Sequence, residues 1–164
     1  MKVSKLTLMA LTVSLAMILS FVETQIPPLM AIPGMKIGLA NIAVVFALYR
    51  FGWKEAMGIS LIRVFLTGLL FGTFASIAYS LAGAILSLAG MVALKGIKFF
   101  SCVAVSVLGG VLHNVGQIAM ASILMGTELI RYYLPFLLLS GTVAGIAIGV
   151  AAGILIRRIV LKEK

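Results

Sequence analysis

Three polar side chains with the chemistry to bind a ligand lie inside a long apolar run of this sequence. The stretch GGVLHNVGQ, residues 109–117, contains the only histidine of the chain, His113, followed by Asn114 and Gln117. Residues three or four positions apart share a face of a helix, which predicts that Gln117 lies on the same side as His113 and Asn114. The glycines around them would let a helix or a ligand approach closely: Gly109, Gly110 and Gly116.

Two basic residues extend this polar set. Arg63 lies inside another apolar run, where a charge costs at least about 2.5–3.5 kcal/mol and requires an anion. Glu23 is one candidate, and a substrate carboxylate or phosphate is the other. In PGMKIGLAN, residues 33–41, Lys36 opens a predicted helix and Asn41 sits about one turn inside it. A lysine at a helix N-terminus suits an anion, although an ordinary loop lysine facing headgroups explains the same pattern.

The composition predicts where these side chains are buried. The 164 residues are 63% hydrophobic and only 10% charged, and the mean hydropathy is +1.25. Soluble domains carry about 25% charged residues, so the chain is predicted to be an integral membrane protein. The net charge of +9 comes from basic residues spread in pairs between apolar runs, which does not favour nucleic acid. A single cysteine excludes an internal disulfide, and no zinc-type cluster is present.

Six transmembrane helices and one membrane domain, residues 1–164, are predicted. The N-terminal apolar run is interpreted as a retained helix, because it is longer than a signal-peptide core and no soluble domain follows it. Charges and turn residues delimit the six helices at 5–24, 36–50, 54–71, 75–95, 99–125 and 131–157, with a turn at 71–76. A sequence of this kind is expected to fold as an all-α bundle.

The loop charges predict the orientation. Ten of the thirteen basic residues fall at one end of the predicted helices, the exceptions being Lys36, Arg63 and Arg131. The positive-inside rule makes that end cytoplasmic, so both termini are expected in the cytoplasm.

Small residues recur at four-residue spacing on two helices. Helix 1 has Ala10 with Ser14 and then Ala16 with Ser20, and helix 6 has a stripe of four glycines at 141, 145, 149 and 153. Such stripes mark either internal helix packing or a docking face for another membrane protein.

Several segments together resemble a known family. The motifs are PGMKIGLAN, LLFG (69–72), SLAGAILS (80–87), VSVLGGVLHNVGQ (105–117) and YYLP (132–135). They look like the small bacterial membrane family called "Gx transporter" or "heptaprenyl diphosphate synthase component I", over nearly the whole chain. That family is similar to the substrate-binding S components of energy-coupling-factor transporters.

The resemblance implies a six-helix protein of the bacterial plasma membrane that binds a micronutrient beneath the loop between helices 1 and 2. It implies partnership with a transmembrane coupling protein and two ATPases, and no cofactor of its own. Residues 26–35 would form the lid of the site. The small residues Ala10, Ser14 and Ala16 would correspond to the alanine-rich docking face, with serine replacing one alanine.

The leading hypothesis is therefore a substrate-binding subunit for a small anionic or amphipathic compound. Its site residues would be Lys36, Asn41, Arg63, His113, Asn114 and Gln117. The alternative is a non-catalytic membrane partner of an isoprenoid synthase or redox enzyme, with the polar face joining helices. Prenyl elongation needs carboxylates to hold Mg²⁺, and this chain has no aspartate. A metal site at His113 is a third reading, which the lack of nearby carboxylates disfavours.

Overall fold

A computed structural model of the chain describes residues 3–25, 38–125 and 129–160. Within these ranges every regular element is an α-helix, which confirms the predicted all-α class. The helices are α1 (Val3–Gln25), α2 (Asn41–Arg50), α3 (Trp53–Phe71), α4 (Phe74–Gly96), α5 (Cys102–Met125) and α6 (Leu129–Val160). Lys36 and the predicted lid, residues 26–35, lie outside the described residues.

The predicted start of helix 2 is wrong by one and a half turns or so, because a glycine conformation intervenes. Gly38 has φ +91°, a left-handed backbone conformation that favours glycine. The backbone N–H of Asn41 then donates to the Gly38 carbonyl at 2.8 Å, which opens α2 with a tight turn. Asn41 is therefore the first residue of α2 and not one turn inside it. Helix 5 likewise begins at Cys102 instead of residue 99.

The helices form a closed bundle whose centre is α2. Around the bundle α1 packs against α3, α3 against α4, α4 against α5, and α5 against α6, while α2 contacts α1, α3 and α6. Nearly every side chain of α2 is buried, as expected of a helix that is apolar all round. Its ten residues rise about 15 Å, roughly half of a bilayer core. The first turn of α2 therefore lies deep inside the protein.

Charged residues gather at one end of the bundle. The Lys5 ammonium pairs with the Glu55 carboxylate at 2.5 Å, which joins the starts of α1 and α3. The Lys95 Nζ atom donates to the Leu48 carbonyl at 2.6 Å and so joins the ends of α4 and α2. Leu8 of α1 and Ile159 of α6 line one apolar groove. The beginning of α1 and the end of α6 therefore lie at the same end, which we call the basic end.

The glycine stripe of α6 packs inside the chain. A Cβ atom added at Gly141 would lie 2.9 Å from the Gly110 carbonyl oxygen, and one at Gly145 would lie 2.6 Å from the Val107 Cα atom. Both contacts are with the backbone of α5, so the two helices touch main chain to main chain. At Gly153, in contrast, an added Cβ atom would meet nothing within 4 Å.

Among the described residues, four helices are long and apolar enough to cross a membrane: Lys5–Gln25, Phe74–Gly96, Cys102–Met125 and Leu134–Ile159. Large apolar side chains on the outside of the bundle, such as Leu69, Ile123 and Leu139, are exposed. In a membrane these side chains contact lipid. The protein is thus a multi-pass membrane protein. Helix α2 is too short to span a membrane alone. Helix α3 is long enough, but it is less apolar than these four because it carries Lys54, Glu55 and Arg63.

Candidate ligand-binding cavity

A small polar cavity lies between α1, α3, α4 and α5, beside the residues that open α2. Its volume is about 10 Å³. Val64 is the apolar member of its lining, which otherwise consists of Ser20, Glu23, Gly38, Arg63, Thr67, Ser80 and His113. Glu23 follows Lys5 by about 27 Å along α1, and Ser80 is about 9 Å from the start of α4. The cavity therefore lies in the half of the bundle opposite the basic end.

Arg63 reaches this cavity from the middle of α3. It lies about 15 Å along the helix from Trp53, and only 6% of its surface is exposed. Its Nη2 atom donates to the Asn41 Oδ1 atom at 3.4 Å, a long hydrogen bond. The sequence predicted both residues for one site, and the structure brings them together. Asn41 orients the guanidinium from the beginning of α2.

Glu23 supplies the negative charge of the cavity. Its carboxylate accepts a hydrogen bond from the backbone N–H of Gly38. It also attracts the Arg63 guanidinium electrostatically. The opening of α2 thus holds a carboxylate that belongs to the chain itself, at the place where the sequence predicted a bound anion.

His113 reaches the cavity from the middle of α5, about 16 Å along the helix from Cys102. It is buried, and it packs against Gly83 of α4. A Cβ atom added at Gly83 would lie 2.8 Å from the His113 carbonyl oxygen and 3.0 Å from its Nδ1 atom. The absence of a side chain at Gly83 therefore makes room for the imidazole.

Gln117 lies one turn further along the same face of α5. Its Cγ atom would be 3.0 Å from a Cβ atom at Gly83, so it shares that glycine with His113. Only 1% of its surface is exposed. Neither its Nε2 nor its Oε1 atom has a hydrogen-bond partner among the described residues. Leaving a buried polar group unsatisfied costs about 1–3 kcal/mol.

Asn114 faces the opposite neighbour. Its Nδ2 atom donates to the Leu137 carbonyl at 3.0 Å and to the Ser140 hydroxyl at 3.2 Å, both on α6. It is not part of the described cavity lining. In the polar stretch of α5, His113 therefore lines the cavity, whereas Asn114 joins α5 to α6.

Six lining residues were not among the site residues predicted from the sequence: Ser20, Glu23, Gly38, Val64, Thr67 and Ser80. Glu23 carried a usable signal, because it is the one acidic residue within the first predicted helix and an arginine lay in a neighbouring apolar run. The hydroxyl residues, Ser80 included, carried only a weak signal, since Ser and Thr are common where membrane helices pack. Thr67 donates its hydroxyl to the Arg63 carbonyl at 2.7 Å.

The three residues predicted for docking do not share one surface. Ala10 and Ser14 are exposed one turn apart on α1, and the Ser14 hydroxyl donates to the Ala10 carbonyl at 3.0 Å. Ala16 has 0% exposure and packs inside the bundle. An external partner on α1 therefore meets Ala10 and Ser14 with their exposed apolar neighbours.

The cavity brings together groups that can form hydrogen bonds and pair charges. Its lining offers a cation, a carboxylate, an imidazole and hydroxyl groups. Within the described ranges, no three His, Cys, Asp or Glu side chains come together in a group able to hold a metal ion.

These features define an all-helical, multi-pass membrane protein with a buried polar cavity. The chain belongs to the heptaprenyl diphosphate synthase component I family, whose model matches residues 12–155. The family resemblance noted from the motifs is thereby confirmed. No curated protein and no solved structure matches the chain.

Proposed function

We propose that the protein is the substrate-binding membrane subunit of an importer and that its cavity binds a small polar compound. The observation that carries this proposal is the placement of Arg63, Glu23 and His113 around one cavity inside the bundle. Charged and ionisable side chains at membrane depth are costly, and they mark binding or transport sites.

The contrast between Gln117 and Asn114 favours binding over a purely structural role. Asn114 makes two hydrogen bonds to α6, as expected of a residue that joins helices. Gln117 is as deeply buried, yet its amide atoms make none within the described chain. A set of side chains that served only to join helices would satisfy both amides alike. Gln117 lies outside the described lining, one turn from His113 on α5, so a ligand that reached past His113 would give its amide a partner.

The proposed topology has six spans with both termini in the cytoplasm of a bacterial plasma membrane. The short helix α2 crosses within the bundle, where other helices shield it from lipid, while α3 crosses beside it with Arg63 buried and several apolar side chains facing outward. The positive-inside rule assigns the basic end to the cytoplasm. The cavity then lies in the outer half of the membrane, where it would receive a compound from outside.

Import would require a partner that supplies energy. The sequence has no G-x-x-x-x-G-K-[ST] motif, the phosphate-binding loop of many ATPases. The resemblance to S components suggests a coupling protein with two ATPases. The exposed face of α1 around Ala10 and Ser14 is the proposed contact for that coupling protein.

A second candidate function is a non-catalytic membrane partner of a prenyl diphosphate synthase. The observation that favours it is the family match, because the family is named as one component of such a synthase. The chain has no aspartate and its four glutamates are scattered along the sequence, so it has no carboxylate cluster of the kind that holds Mg²⁺. In this function the soluble partner would carry the catalysis.

Purification of the tagged protein from its native host in mild detergent separates the two functions. Recovery of a coupling protein with two ATPases is the result expected of an importer subunit. Recovery of a prenyl synthase without an ATPase would contradict the importer and establish the second function. A variant with Ala10→Trp and Ser14→Trp is the control for specificity, because it should lose the coupling protein without unfolding the bundle.

A further inference from the structure

We propose that the ligand of this cavity has no net charge: it is a zwitterion, or a neutral compound rich in amide-type donors and acceptors. The inference rests on the proposed function, and it names the class of compound that this cavity selects. The reason is that the Glu23 carboxylate already serves the two groups that would otherwise attract an anion, the Arg63 guanidinium and the backbone N–H of Gly38.

The first of these features is the guanidinium of Arg63. An anionic ligand needs a cation whose charge is not already balanced by the protein. Glu23 and Arg63 line the same buried cavity and attract each other. Among the described lining residues these are the two side chains that carry full charges of opposite sign. The described lining is therefore balanced before a ligand enters.

The second feature is the opening of α2. Backbone N–H groups at a helix N-terminus are natural donors to anions. Here the N–H of Gly38 donates to the Glu23 carboxylate. An incoming carboxylate or phosphate would have to displace Glu23 or lie beside it, with like charges close together in a medium of low dielectric constant. Both arrangements disfavour an anion.

The uncharged groups of the site indicate what the ligand offers instead. The hydroxyl groups of Ser20 and Ser80 line the cavity, and each is both a donor and an acceptor. A ligand amide or lactam presents the complementary acceptor and donor together. A zwitterion meets the same lining with its ammonium near Glu23 and its carboxylate near Arg63. Both kinds of ligand leave the total charge of the site unchanged.

The role of Glu23 can be tested by chemical rescue. Glu23→Ala removes the carboxylate and leaves space for a small one. We expect sodium acetate, at constant ionic strength, to raise the unfolding temperature of Glu23→Ala saturably, while acetamide does not. The rise should vanish in Glu23→Ala/Arg63→Gln, and wild type should not respond to acetate. Should Glu23→Ala fail to fold, Glu23→Ser serves, because its short side chain also leaves space for acetate while Arg63 is left without the nearby carboxylate.

Lys36 lies outside the described residues and could add a further positive charge. The Lys36→Gln variant is therefore also tested for stabilisation by acetate. Stabilisation of wild type by acetate, lost on substitution of either Arg63 or Lys36, would overturn the inference. So would a Glu23 variant that folds and ignores acetate.

The ligand itself supplies the second measurement. Compounds released by denaturing the purified wild-type protein are compared, by mass spectrometry, with those from Arg63→Gln. A released compound that is neutral or zwitterionic at neutral pH supports the inference. A released anion overturns it and leaves the proposed function standing. If wild type releases no compound in excess over Arg63→Gln, the proposed function fails. The inference about the charge of the ligand then fails too, whatever the result of the acetate rescue.

Discussion

The carboxylate of Glu23 accepts a hydrogen bond from the backbone N–H of Gly38, three residues before α2 begins. This contact fastens the end of α1 to the opening of the buried helix α2. It also brings a negative charge to the cavity that Arg63 lines from α3. Three helices are thereby tied together at a cavity around which the protein buries opposite charges.

Removing only Arg63 should be more harmful than removing both charged partners. In Arg63→Leu the carboxylate of Glu23 stays buried without the cation that shares its cavity. Because the two groups are not in salt-bridge contact, the loss should be smaller than the cost of breaking a buried ion pair, about 3–5 kcal/mol. In Glu23→Leu/Arg63→Leu neither charge remains, so much of that loss should be recovered. Unfolding in mixed micelles, followed by circular dichroism, measures both variants. Equal losses in the single and double variants would show that the two side chains do not interact.

His113 and Asn114, adjacent in sequence, should separate binding from stability. Asn114→Ala loses the hydrogen bonds to Leu137 and Ser140, and interhelical bonds of this kind are worth about 0.6 kcal/mol on average and up to about 1.7 kcal/mol. It should lower the unfolding temperature while the protein retains its bound compound. His113→Ala should lose the compound instead. The amount of compound per protein and the unfolding temperature are measured on the same samples.

A reversed pattern, with the compound lost from Asn114→Ala and retained by His113→Ala, would contradict the assignment of faces on α5. Loss of stability alone in both variants would favour the structural role for the whole polar stretch.

Two glycines of α6 should respond oppositely to the same substitution. Gly145→Ala places a methyl group 2.6 Å from the Val107 Cα atom, so α5 and α6 must separate. Overpacking of this kind costs about 1–3 kcal/mol. Gly153→Ala meets nothing within 4 Å and should stabilise the helix by about 0.5–1 kcal/mol. Thermal unfolding of the two variants beside wild type checks the difference, and equal effects would mean that the stripe does not pack on α5.

The six-span topology predicts which turns face the outside of the cell. Phe74, at the α3–α4 turn, and Phe99, at the α4–α5 turn, are 87% and 90% exposed. In a Cys102→Ser background, an impermeant maleimide applied to intact cells should label Phe74→Cys and not Phe99→Cys. Both should react after the cells are opened. Labelling of Phe99→Cys alone in intact cells would reverse the orientation.

The composition and charge pattern were sufficient to predict the class of fold and most helix ends. Apolar runs bounded by charges gave α3 and α4 to within a residue or so, because lipid and water impose different side chains on span and turn. The beginning of α2 was misplaced because it depends on the backbone of Gly38, which no hydrophobic pattern encodes. Glu23 was predicted only as a possible partner of Arg63 and not as a site residue. Its place in the cavity arises from packing between α1, α2 and α3, which the sequence pattern does not contain.

The different neighbours of Asn114 and Gln117 on α5 could not be predicted for a similar reason. Helical spacing placed Asn114 and Gln117 on a common face, and a spacing of three residues permits a spread of about 60° between them. That spread is enough for one side chain to reach α6 and the other to meet Gly83 of α4. Which neighbour lies on which side is a property of the assembled bundle and is not encoded in the periodicity of a single helix.

The measurement that tests the central claim most directly is the amount of small compound carried by the purified protein. Wild type and the two variants Arg63→Gln and Asn114→Ala are purified identically, denatured, and compared by mass spectrometry. The proposed function predicts a compound that wild type and Asn114→Ala carry and that Arg63→Gln, still folded, does not. A folded Arg63→Gln protein that carries the same compounds in the same amounts as wild type would contradict a ligand-binding cavity at Arg63.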